Sequence, residues 1–161
     1  KSGKTHLYLS GNGIEKIGSL FVKGNLIADC LNNEIGKASA IKMCYAAWTK
    51  GSTALLCAIQ AVADEYGVRE RLEQQWDEDW PGFSEKARNR ARRVTAKAWR
   101  FSGEMEEISS TFHEAGELGG FHKAAADLYE RLAEFKDAPE IPPLQDVLNA
   151  LKVKPEKNPA R

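Results

Sequence analysis

The feature that most constrains the fold is the stretch of residues 36–59, which reads GKASAIKMCYAAWTKGSTALLCAI. After Gly36 most of its residues are small, and they recur at spacings of four and three. The members of this small-residue stripe are Ala40, Cys44, Ala47, Gly51, Ala54, Ala58 and Ala61. Such spacing places side chains on one face of a helix, and small side chains let another backbone approach closely. The stretch therefore predicts a tightly packed helix, with Lys42 within its first turns.

The periodicity of apolar residues and the helix-breaking glycines and prolines predict the other helices and strands. Two short strands, at residues 5–10 and 26–30, flank a short helix that ends near Gly24. Helical periodicity then predicts helices at 37–66, 69–80, 84–113 and 121–136, and a last one that ends near Leu151. Because the composition changes at Gly36, we predict three parts: an α/β remnant at 1–35, an all-helical domain at 36–152 and a polar, disordered tail at 153–161. The predicted fold class is mainly α.

Composition excludes several classes of protein. The 161 residues include 42% hydrophobic residues, enough for a core, and 23 basic residues balance 23 acidic ones. This balance argues against binding to nucleic acid, and no apolar run reaches membrane length. Cys30, Cys44 and Cys57 are expected to be reduced thiols in a cytoplasmic protein. The sequence lacks an initial methionine and enters a strand at once, so we expect the natural protein to be longer.

The helix predicted at 84–113 carries two further patterns. Its apolar positions hold the four-and-three rhythm throughout and predict a core stripe, which is also a candidate dimer surface. The stripe consists of Ala87, Ala91, Val94, Ala98, Phe101, Met105, Ile108 and Phe112. Residues 86–100 contain seven basic residues and no acidic one. This basic stretch is either a phosphate- or nucleic-acid-binding face or, as we favour, a solvated flank that meets Asp77, Glu78 and Asp79.

Two weaker patterns are rejected as sites. Residues 3–5 read GKT, the end of a phosphate-binding loop, but a predicted strand follows where such a loop needs a helix. His113 and His122 are nine residues apart with no cysteine or carboxylate at ligand spacing. We therefore expect no metal site and treat both histidines as satisfied or solvent-facing, although His122 has a possible polar role at a pocket rim.

Lys42 is the strongest candidate for chemistry. It follows the predicted helix N-terminus, whose unpaired N–H groups and partial positive charge attract anions. A partly desolvated lysine there loses its proton near neutral pH and serves as a general acid or base. The structural alternative is a surface lysine that extends from the start of a helix.

Residues 7–60, taken together, resemble the β-hydroxyacid dehydrogenase superfamily, which includes 6-phosphogluconate and 3-hydroxyisobutyrate dehydrogenases. The segments WRFSGEMEEI at 99–108 and GFHKAAADLYERL at 120–132 fit a branch with a 6-phosphogluconate dehydrogenase-like helical C-terminal domain. The resemblance implies a C-terminal part of an oxidoreductase that is not competent alone, with the Rossmann domain that binds NAD or NADP lying mainly upstream. It also implies a homodimer, a β-hydroxy acid substrate and Lys42 as the catalytic residue that exchanges a proton with the substrate hydroxyl.

The sequence departs from this family at three positions. Ala46 stands where the family has a substrate-binding asparagine, Thr49 where 6-phosphogluconate enzymes have glutamate, and Gly103-Glu104 where they have a Lys-Asp pair. These departures make 6-phosphogluconate an unexpected substrate. The candidates to replace the lost contacts lie within two turns of Lys42, and they are Ser39, Tyr45 and Thr49. The alternative function is a non-catalytic helical module for dimerisation or ligand binding.

Overall fold

The protein, described here from a computed structural model, is resolved into elements over residues 5–21 and 25–152. The predicted tail at 153–161, the first two residues of the GKT pattern and the predicted helix end near Gly24 lie outside these described residues. The fold is mainly α, as predicted, and it divides into two compact units between Ala46 and Ala47.

The first unit contains a strand–helix–strand element followed by a longer helix. Strand β1 spans Thr5–Leu9, helix α1 spans Ile14–Ser19, strand β2 spans Leu26–Cys30 and helix α2 spans Lys37–Ala46. The two strands pair in parallel, with Thr5 opposite Leu26 and Leu9 opposite Cys30. Both predicted strands are confirmed, and the parallel pairing is typical of the βαβ units of α/β proteins.

The second unit is helical. It begins with a π-helical segment, Ala47–Gly51, and continues with α3 at Ser52–Glu65, α4 at Arg69–Asp79 and α5 at Phe83–Glu114. Helix α6 at Gly120–Arg131 runs into a 3-10 turn, Leu132–Phe135, and α7 at Leu144–Leu151 ends the described chain. The predicted helices of this unit are confirmed to within a few residues. The π-helical segment was not predicted.

Helix α5 is the centre of the second unit, packed along α6 and against α3, α4 and α7. Six positions of its apolar stripe are buried, and Phe101 and Phe112 are half-buried, so the predicted core stripe is confirmed. The buried positions are Ala87, Ala91, Val94, Ala98, Met105 and Ile108. Because this stripe is covered by the chain itself, its interpretation as a dimer surface is wrong.

The small-residue stripe is confirmed only in part. Gly51 and Ala54 are buried, and a Cβ atom added at Gly51 would lie 3.1 Å from Cε1 of Phe121, so a small residue is needed there. Ala40 and Cys44 are exposed. The prediction assumed 3.6 residues per turn throughout, and a π-helical segment has a longer turn, so the strict rhythm does not continue through it. None of the described helices is both long and apolar enough to span a bilayer.

Candidate functional site

Three of the four predicted site residues lie on one helix of the first unit. Ser39, Lys42 and Tyr45 are spaced three apart on α2, which places them along one face. All three are exposed, Tyr45 by 69%. Thr49, the fourth, lies half-buried in the π-helical segment of the second unit. Lys42 is therefore solvent-accessible in this chain rather than partly desolvated, and its catalytic role stays a prediction.

The start of α2 is less open than expected. The backbone N–H of Ala38 donates to Oγ of Ser10 at 3.0 Å, so a side chain from the loop after β1 satisfies one of the helix's first amides. Lys37 forms an ion pair with Glu34 at 3.1 Å on the outside of the same turn. This N-terminus is thus partly capped by the protein itself.

Side chains from two other helices hold the π-helical segment. The Thr53 hydroxyl donates to the carbonyl of Thr49, and the Tyr129 hydroxyl to the carbonyl of Lys50, both at 2.7 Å. A π-helical turn departs from the regular α-helical hydrogen bonds, and these hydroxyls stabilise it through its carbonyls. Tyr129 is fully buried, and this burial raises its pKa, so it remains a protonated donor. Burial likewise raises the pKa of the Cys57 thiol to about 12, which makes Cys57 an unreactive core residue.

Glu104, which belongs to one of the positions where the sequence departs from the family, forms ion pairs. Nζ of Lys50 lies 2.5 Å from Oε2 of Glu104 and 5.1 Å from the centroid of the Phe101 ring. Arg100 approaches the other oxygen of Glu104 at 3.7 Å. Glu104 is therefore engaged in ion pairs within the second unit, and Gly103 next to it is exposed.

Four of the seven basic residues of the stretch on α5 are exposed, as the solvated interpretation predicts, whereas three arginines are half-buried. Asp77, expected to face a basic residue, instead accepts from the backbone N–H of Ser84 at 2.9 Å and from its hydroxyl at 2.6 Å. Arg88 pairs with Glu73 at 2.6 Å, and Nε of Arg92 donates to the carbonyl of Pro142 at 2.8 Å. The hydrogen bonds of Arg88 and Arg92 thus go to other acceptors than the predicted acidic residues, although the charge of Arg88 helps to lower the pKa of Asp77.

Arg90 is the least expected member of this stretch. Its Nη2 atom donates to Oγ of Ser52 at 2.9 Å, to Oγ1 of Thr53 at 2.5 Å and to the carbonyl of Thr49 at 3.3 Å. The guanidinium of α5 is thus anchored at the junction of the π-helical segment and α3. The sequence signal available for it was a pair of hydroxyl residues, Ser52 and Thr53, directly after Gly51 in a stretch of small residues.

The two histidines, His113 and His122, differ in their exposure to solvent. His113 is exposed, whereas His122 is buried between Phe112 and Phe121, whose ring centroids lie 4.2 and 5.3 Å away. Nδ1 of His122 is buried and forms no hydrogen bond within the described residues, and desolvation lowers the pKa of the ring. His122 is therefore a neutral core residue rather than a rim residue. The described residues contain no group of three or more side chains placed to hold a metal ion.

Comparison with known proteins agrees with the fold. A family described as a domain of unknown function, DUF1932, matches residues 63–132, less than half of the chain. A crystal structure of a conserved hypothetical protein from Sinorhizobium meliloti 1021 superposes with a TM-score of 0.76 at 22% sequence identity, over 92% of this chain and 51% of that one. This chain thus spans about half the length of that protein. No curated protein matches it.

Proposed function

We propose that this chain is the C-terminal part of an NAD(P)-dependent oxidoreductase that transfers hydride between a nicotinamide cofactor and a β-hydroxy acid. The observation that carries the proposal is the segment from Gly36 to Lys42, which resembles the turn before the interdomain helix of the β-hydroxyacid dehydrogenases, together with the place of Lys42 on an exposed helix face. The DUF1932 match supports the coarser part, a C-terminal part of a dehydrogenase-like protein. The similar solved structure, twice as long, is compatible with a further domain.

The proposed chemistry of this chain is proton transfer. The Lys42 amine takes the proton of the substrate hydroxyl as the carbinol C–H bond breaks, and returns it to the carbonyl oxygen in the reverse direction. Ser39 and Tyr45 share its helix face and contribute hydroxyls that orient the substrate. Thr49 is the further substrate-binding residue that the resemblance predicts, and it lies in the π-helical segment of the second unit. The nicotinamide, when bound, accepts or gives the hydride.

The cofactor is expected to be held mainly by residues outside this chain. The loop after β1 places Gly11 and Gly13 at the spacing of the first two glycines of the dinucleotide fingerprint, but Lys16 stands where the third is required. No residue of this chain is therefore assigned to the cofactor. The proposed location is the cytoplasm, and the proposed assembly is a homodimer.

The first test is the size of the native polypeptide in a source extract, measured by immunoblot against this chain. A band near about 30 kDa, one nucleotide-binding domain larger, fits the proposal. The native protein is then assayed for reduced cofactor at 340 nm with a panel of β-hydroxy acids and NAD or NADP. A band at 17.9 kDa, or no reduction with any acid, contradicts the proposal.

The second candidate is a non-catalytic helical module. It is favoured by Ala46 and Gly103, which remove polar contacts of the family, and by apolar side chains on the outside of α3. Leu55 is 47% exposed, Val62 57% and Tyr66, directly after α3, 77%; successive members lie seven and four residues apart. A band of the shorter size together with inactivity would favour this module.

A further inference from the structure

Helix α5 carries its charges in two blocks of opposite sign. Residues 86–100 contain seven basic residues and no acidic one, and residues 101–114 contain four glutamates and no lysine or arginine. Opposite charges three or four residues apart would stabilise the helix itself. Within the described part of α5, the only such ion pair joins Arg100 and Glu104, where the two blocks meet. The two halves of the helix are therefore complementary to each other rather than each being neutral.

The exposed charges of both halves share one face of α5. Residues seven apart on an α-helix point in nearly the same direction, with a drift of about 20°. The exposed charged residues at this spacing are Lys86, Arg93, Arg100, Glu107 and Glu114. A second row, three residues further on, carries short side chains, at Asn89, Ala96, Gly103 and Ser110. Short side chains let another helix approach closely. We call these two rows together the charged face of α5.

Most of the charges on the charged face are unpaired. Arg100, at the middle, approaches Glu104 at 3.7 Å. The other four charged members form no ion pair with any described residue, and they are Lys86, Arg93, Glu107 and Glu114. Trp99, beside Arg100 at the edge of the face, is 48% exposed. The middle of the face thus holds a neutralised charge next to an exposed aromatic ring, and its two ends hold unpaired charges of opposite sign.

We propose that a second copy of this chain docks on the charged face, with the two α5 helices antiparallel and centred on Arg100. Arg93, seven residues before the centre, then faces Glu107 of the partner subunit, seven residues after it. By the same symmetry, Lys86 faces Glu114 of the partner subunit. A two-fold axis forms each of these pairs twice. Parallel helices would instead bring like charges together, so the charge pattern selects the antiparallel arrangement.

The charges on the charged face also determine how strong the contact is. This inference rests on the homodimer of the proposed function and names its surface, and it involves neither Lys42 nor the substrate. Exposed ion pairs each contribute little, so several of them, with the close approach at the short side chains, give a dimer that dissociates on dilution. Salt screens exposed charges. We therefore expect the Kd of dimerisation to rise with the salt concentration.

The test reverses charges on the charged face and measures the Kd of dimerisation of the native protein by sedimentation equilibrium. Arg93→Glu places two acidic residues opposite each other, and Glu107→Arg places two basic residues opposite each other. Each variant should raise the Kd about 10-fold or more, because attraction is replaced by repulsion at two symmetric positions. A mixture of the two variants should form a heterodimer with a Kd near that of the wild type, since every pair then joins opposite charges.

The control is Glu130→Arg, which makes the same change of charge at an exposed position of α6. It should leave the Kd unchanged, and all variants should keep the melting temperature of the wild type. A dimer whose Kd neither single variant raises, or a mixture that dimerises no better than each variant alone, refutes this surface and leaves the homodimer. A protein that is monomeric at every concentration refutes the surface and the homodimer together, while turnover with a β-hydroxy acid separately tests the oxidoreductase.

Discussion

The two units of this protein differ in where their apolar side chains lie. In the described part of the first unit, the buried apolar side chains are those of Ile14 and Ala46. The second unit buries its large side chains completely, and these include Tyr129, Met105, Ile108, Leu132 and Leu148. The first unit carries the candidate catalytic residue, Lys42, on an exposed helix face.

Because of this difference, substitutions in the two units are expected to change different properties of the protein. Burial of apolar surface is the main source of stability, so the core around α5 should dominate the free energy of unfolding. Substitutions on an exposed helix face change stability little, and their effect should appear in the chemistry instead. The comparison between the two units is therefore tested by substitutions that change either stability or turnover and leave the other unchanged.

The largest effect is expected at Lys42. In the native protein, Lys42→Ala should lower kcat by about 10²- to 10⁴-fold, the usual contribution of a general acid or base, with an unchanged melting temperature. Lys37→Ala is the matched control on the same helix, because Lys37 is exposed and its ion pair with Glu34 lies on the surface. Near-normal turnover of Lys42→Ala would remove Lys42 from the catalytic role.

The next largest effect is expected in the core of the second unit. Met105 is fully buried on α5, so Met105→Ala should lower the free energy of unfolding by about 2–5 kcal/mol through lost burial and a cavity. Leu55→Ala, at an exposed position of α3, should change it by roughly 0.5 kcal/mol or less. Urea unfolding measures both. Equal losses would show that α5 does not form the main core.

Much of the fold was predictable from local patterns. The stripe from Ala87 to Ile108 repeats at the period of an α-helix, which predicted both the length of α5 and its buried face. Gly67 and Pro81-Gly82 ended the helices before it, because glycine adopts the left-handed backbone and proline has no N–H to donate. Such signals depend on neighbouring residues alone, so they are visible in one sequence.

The features that sequence reasoning missed depend on distant residues. The π-helical segment is held by Tyr129, which donates to the carbonyl of Lys50, 79 residues away in the sequence. The anchoring of Arg90 likewise joins α5 to Ser52 and Thr53, 38 and 37 residues before it. Spacing within a helix gives no information on such pairs. Lys42, the candidate catalytic residue on α2, was by contrast found from a family resemblance and from its position in a helix. Both signals are visible in the neighbouring sequence.

Two glycines of the second unit should respond to alanine with opposite signs. A Cβ atom at Gly119, before α6, would lie 2.5 Å from the carbonyl oxygen of Ser109, so Gly119→Ala should cost about 1–3 kcal/mol through overpacking. Gly103, inside α5, has open space around the corresponding position, and Gly103→Ala should stabilise the helix by about 0.5–1 kcal/mol. Thermal unfolding of both variants is the measurement. A destabilised Gly103→Ala would mean that position 103 is packed by a partner.

The smallest effect is a pH dependence at the start of α5. The hydroxyl and backbone N–H of Ser84 donate to Asp77 and hold the pKa of its carboxyl below the ordinary value. The folded pKa is lower than the unfolded one, so this stabilisation is complete above the ordinary aspartate pKa. It is lost as the pH falls through the folded pKa.

Asp77→Asn removes the titrating group, so the difference in unfolding free energy between wild type and variant should shrink below about pH 4. Ser84→Ala removes the hydroxyl that contributes most to the shift, so its acid transition should begin at a higher pH than that of the wild type. Acid unfolding followed by circular dichroism compares the three proteins. If wild type and Asp77→Asn lose stability in parallel from pH 6 to pH 2, the Asp77–Ser84 contact does not stabilise the start of α5, and the sensitivity to acid originates elsewhere.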